Sequence, residues 1–137
     1  MEFSVAVRRQ LNRIFREHPI ELVYVFGSFV TGHATKNSDI DIAVLFSEKV
    51  SKDKRFSLRL ELMGKLSRLF RRDVDAVVLN DTPSLFFQFV IIKEGRAIFY
   101  VSEAARADFE SRVFGRYFDF APFLSRYNRH YVQRNLQ

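Results

Sequence analysis

Val7, Leu11, Ile14 and Phe15 recur at helical spacing while Arg8, Arg9, Arg13 and Arg16 take the other side. This pattern predicts an amphipathic helix over 3–17, stopped by His18 and Pro19. The short β-branched and aromatic run ELVYVF ends at Gly27 and predicts a strand closing on a tight turn. A polar loop from Ser28 to Ser38 then leads to a second strand, Asp39 to Phe46. From Lys52 to Phe70, the apolar set Phe56, Leu60, Met63 and Leu66, with Leu58, Leu62 and Leu69 beside it, predicts a helix with a wide buried stripe. VDAVVL is a third strand, followed by a helix with Thr82 as N-cap and Pro83 at its first position, running to Glu94 and ending on Gly95. AIFYV is short enough to be an edge strand. Ser102 opens a last helix through Phe118, which Pro122 kinks or restarts.

The order α-β-β-α-β-α-β-α predicts an α/β (α+β) domain: a small mixed sheet of about four strands with helices packed on it and a helical C-terminus. The 137 residues imply one domain, with residues 1–101 forming the sheet-containing part and 102–137 the helical segment. A 47% apolar content with five Gly and three Pro excludes disorder and collagen-like architecture. The longest nearly apolar run, Leu85 to Ile92, falls far short of the roughly 20 residues a membrane-spanning helix needs. The arginines of MEFSVAVRRQL stand where a signal peptide needs its apolar stretch. The absence of cysteine excludes disulfides and thiol chemistry. Together these point to a cytoplasmic protein.

Net charge is +6, but residues 49–72 carry nine Lys or Arg against Asp53 and Glu61. That segment holds +7 and the remainder −1, a local basic stripe whose simplest reading is the solvated face of a helix. Direct nucleic-acid binding is therefore not expected.

The segment GSFVTGHATKNSDID carries the chemistry. In a strand, Asp39 and Asp41 share a face while Ile40 and Ile42 turn to the core. Paired carboxylates raise each other's pKa unless a cation neutralises them. An oxygen-only donor set suits magnesium or manganese holding phosphate oxygens. Asp75, between Val74 and Ala76, supplies a third carboxylate, and Asp73 on the same face is its rival. Gly27 lets a phosphate approach the backbone, and the Ser28 hydroxyl can bond it. His33 and Lys36 lie in the same loop as further candidate phosphate contacts, although the ordinary reading of such residues is solvation. A phosphate-binding P-loop is excluded, because His33 and Ala34 stand where Lys and Ser or Thr are required.

GS, ten residues, then DxD, with a later third Asp, resembles the minimal nucleotidyltransferases of the DNA polymerase beta superfamily. The resemblance implies that Gly27 and Ser28 contact the triphosphate. It further implies that Asp39, Asp41 and Asp75 hold two Mg2+ ions (Mn2+ possible) and that Asp75 activates the acceptor hydroxyl. IIKEGRAIFY and DFESRVFGRYFDF are similar to the antitoxins of HEPN/MNT toxin-antitoxin pairs. This further resemblance implies transfer of AMP from ATP to a tyrosine of a partner HEPN ribonuclease toxin. Alternatives are a small-molecule nucleotidyltransferase of the aminoglycoside type, for which the chain is short, and a catalytically idle antitoxin acting by occlusion. The aromatic C-terminal segment, Phe109 to Tyr131, and the basic stripe are the candidate partner surfaces.

Overall fold

The computed structural model describes residues 3–35 and 38–136, with side chains described as far as Phe123. The amphipathic opening segment forms α1 (Val5–Arg16), capped by the Ser4 hydroxyl. Strand β1 (Ile20–Phe26) is followed by a four-residue helix α2 (Ser28–Thr31), then β2 (Ile40–Phe46), α3 (Lys52–Phe70) and β3 (Val74–Val78). Helix α4 (Leu85–Glu94), β4 (Arg96–Tyr100) and α5 (Glu103–Leu136) complete the chain. The sheet order is β3-β2-β1-β4, with β1 antiparallel to both its neighbours and β2 parallel to β3. This is the mixed four-stranded sheet that the pattern predicts, with β4 at an edge.

Alternation along the strands divides the interior in two. One face places Val23, Val25, Ile40, Ile42, Val44 and Phe46 against Leu11 and Phe15 of α1 and Leu58, Leu62 and Leu66 of α3. The other places Leu22, Tyr24, Ala43 and Leu45 against α4 and Phe109 and Val113 of α5. There the buried Tyr24 hydroxyl donates to Glu110 Oε1 at 2.7 Å, and Glu110 also accepts from Arg106. Burial and this acidic partner push the Tyr24 pKa well above its usual value.

Four local expectations are revised. The loop after Gly27 contains α2. On α3 only the Leu58, Leu62 and Leu66 row is buried, while Phe56 and Leu60 face solvent; a helix covering one side of a sheet edge has strands beneath a single row. The N-cap of α4 is Ser84, not Thr82. Thr82 instead donates to the Val78 carbonyl and follows a 3-10 turn at Leu79–Asp81, leaving Pro83 outside the helix. Helix α5 runs on through Pro122.

Part of the aromatic wealth of the C-terminal helix packs inward. The Tyr117 ring lies flat on Phe89 of α4 with centroids 3.7 Å apart, and Phe114 and Phe118 pack edge-on against Phe89. Phe118, Phe120 and Phe123 nevertheless remain exposed. Side chains of Tyr127, His130 and Tyr131 lie outside the described residues.

Candidate active site

The site is assembled where β1 ends and β2 begins. Phe26, the last residue of β1, pairs with Asp41, and the chain then turns at Gly27 with φ 77° and ψ −148°. An L side chain resists that backbone, and a Cβ on Gly27 would lie 2.6 Å from Asp41 Oδ2, so the carboxylate would have to move. Gly27 therefore makes room for a carboxylate of the chain itself, a role that the spacing alone does not reveal. Its carbonyl accepts from Val30 and Thr31, which starts α2 at Ser28.

Parallel pairing of β2 with β3 sets Asp41 beside Asp75, while their neighbours Ile40, Ile42, Val74 and Ala76 are buried. Asp41 is partly buried, and its pKa is raised, first by desolvation and then by the charges of Asp75 and Asp39. Asp39 is exposed and immediately precedes β2. Asp73 immediately precedes β3, and its carbonyl accepts from Ile40 N–H at 2.9 Å, which makes its backbone part of the strand entry. Asp39, Asp73 and Asp75 line one open hollow of about 340 Å³ with Met63, Gly64 and Ser67 of α3.

The donor set, oxygen ligands from carboxylates, fits a hard dication by its chemistry. Among the described residues, no three acids or histidines gather closely enough to hold an ion as they stand. At Asp75, Oδ1 accepts from Arg59 Nη2 at 3.2 Å.

Several members of the basic stripe turn out to be internal fasteners. Arg55 pairs with Asp81, and Lys65 with Glu61 and Glu17. Arg59 bonds the Ala76 carbonyl as well as Asp75. Arg72 donates to the carbonyls of Thr35 and Ser38 and lies over the Phe29 ring, tying the loop before Asp39 to the entry of β3. Sequence reading missed Arg59 and Arg72, because a charge run looks alike whether its members face water or neighbouring backbone. His33 is exposed and gives its N–H to the Ser28 carbonyl. Lys36 lies outside the described residues.

Residues 9–104 match the polymerase beta nucleotidyltransferase family. The protein adenylyltransferase MntA of Shewanella oneidensis is 38% identical over 72 residues, covering 53% of this chain and 49% of that protein. The match thus spans about half the length of this curated relative. A solved toxin-antitoxin structure with AMP-PNP matches with a TM-score of 0.69 at 23% identity, covering 95% of this chain and 98% of that one. A complex of tri-AMPylated Shewanella oneidensis HEPN toxin with MNT antitoxin matches with a TM-score of 0.66 at 21% identity, covering 96% and 98%. At these identities the structural likeness speaks to fold, and the fold is the mixed sheet with a helical C-terminus described above.

Proposed function

The chain belongs to the polymerase beta nucleotidyltransferase family, and from that premise we propose that it is an antitoxin that transfers AMP from ATP to a tyrosine hydroxyl of a partner HEPN ribonuclease toxin. The observation that carries this reading is the register of Asp41 with Asp75 beside the Gly27–Ser28 turn, on a sheet end open to solvent. The 38% identity to a protein named as an adenylyltransferase supports the acceptor class. The likeness to toxin-bound chains supports the partner.

In this reading the Gly27 backbone and Ser28 hydroxyl hold the triphosphate, while Asp75 takes the proton from the acceptor hydroxyl. The acceptor oxygen bonds to the α-phosphorus of ATP. The bond from that phosphorus to the α–β bridging oxygen breaks, and pyrophosphate departs with the electron pair. Asp39, Asp41 and Asp75 would hold Mg2+, which when bound neutralises the charge developing on the phosphoryl oxygens. Residues 1–101 form the catalytic part and 102–137 a helical segment of the same domain. No described helix is long and apolar enough to cross a membrane; the placement we propose is cytoplasmic.

The test mixes the protein with its co-purifying partner, Mg2+ and ATP labelled at the α-phosphate. Label on a partner tyrosine is the expected result. Neutralisation of the partner without label would overturn transfer in favour of occlusion.

A further inference from the structure

Three side chains cap backbone groups of β3. Ser67 Oγ accepts from Val74 N–H, Thr82 Oγ1 donates to the Val78 carbonyl, and Arg59 Nε donates to the Ala76 carbonyl. Two neutral hydroxyls show that covering a sheet edge requires no charge. Arg59 is the one cap among these three that also reaches a carboxylate, through Nη2 to Asp75 Oδ1.

We propose that Arg59 is the positioning residue of Asp75, an inference that rests on reading Asp75 as a metal ligand and proton acceptor. The Asp75 side chain is 56% exposed, so without a partner its carboxylate would sample several rotamers in water. The Arg59 side chain is only 29% exposed and is anchored to Ala76, a residue 1% exposed and paired with Ile42 inside the sheet. The guanidinium is a rigid planar fork whose Nε–H and one Nη–H run side by side. The carbonyl of residue 76 and the carboxylate of residue 75 are adjacent on one strand, which matches that fork. One carboxylate oxygen is thereby tied to the sheet edge, and the other is left for a cation. Hydrogen bonds of this kind to a ligating carboxylate fix its orientation. A lysine keeps the charge but offers a single point donor, so Arg59→Lys separates geometry from electrostatics.

The test is a cycle of Mn2+ titrations, by calorimetry, on the full chain and on R59K, D75N and the double variant, with thermal melts alongside. R59K should bind Mn2+ roughly 10-fold more weakly than the native chain. In the D75N background the same change should alter affinity by less than about twofold, because the ligating carboxylate that Arg59 orients is gone. Arg59→Gln carried through the same cycle should show the same non-additivity. In transfer assays R59K should lose kcat while keeping KM for ATP. Equal losses of Mn2+ affinity in both backgrounds would overturn the proposal and leave Arg59 an edge cap. Unchanged or tighter binding in R59K would overturn it too, tighter binding meaning that the ion pair competes with the metal. A native chain that transfers no label would sink the nucleotidyl-transfer reading while the Mn2+ cycle still decides the role of Arg59.

Discussion

The two faces of the sheet are built from alternate residues of the same strands, yet they do different work. From β2, Ile40, Ile42, Val44 and Phe46 enter an apolar layer closed by α1 and α3. Asp41, Ala43 and Leu45 turn the other way, and that face begins with a carboxylate and contains the Tyr24–Glu110 bond. Charged chemistry can stand at a strand start because the next residue on either side is locked in the opposite layer. The apolar layers should therefore respond to substitution in stability, and the carboxylates at the strand starts in activity.

The largest effect expected is from Asp41→Asn, which should reduce transfer by about a thousandfold, or ~4 kcal/mol in the barrier. Without metal the variant should fold at least as stably as the native chain at neutral pH. The sign follows from the raised Asp41 pKa: the folded state disfavours the ionised form, so the penalty is absent in acid and sets in as pH rises through the shifted value. Melts compared at acid and neutral pH should show the gain vanishing in acid.

Leu62→Ala, at a fully buried position of the apolar face, should cost about 3 kcal/mol in denaturant unfolding while leaving the kcat of the folded fraction intact. A kcat loss as large as that of Asp41→Asn would break that division. Tyr24→Phe should cost about 1 kcal/mol, since Glu110 keeps Arg106 as a partner. The smallest stability effect belongs to Phe120→Glu and Phe123→Glu, within roughly 0.5 kcal/mol because both side chains face solvent. Pull-downs should nevertheless show these two variants losing the partner protein while ATP binding persists. Loss of ATP binding there would place the aromatics in the core.

The contrast also shows what a single sequence can disclose. The period-two alternation of Asp39 to Ile42 was legible, because each strand residue has only two directions to choose from. Asp41 and Asp75 were legible for the same reason. Arg59 and Arg72 were not: their partners are carbonyls of residues 76, 35 and 38, and no side-chain pattern records where a backbone oxygen lies unpaired. The start of α4 was misread because three N-cap formers, Asp81, Thr82 and Ser84, compete around Pro83, and a back-bond from Thr82 to Val78 decides among them. Phe56 and Leu60 looked buried because helical spacing fixes which residues share a row, not how much sheet lies beneath it.

The most direct test of the account is the fate of α-labelled ATP in the native complex and in the complex carrying Asp41→Asn. The account predicts label on a tyrosine of the partner with the native chain, and none with the variant, although both chains fold and hold the partner. Equal labelling by the two, or a neutralised partner that never carries label, would contradict it.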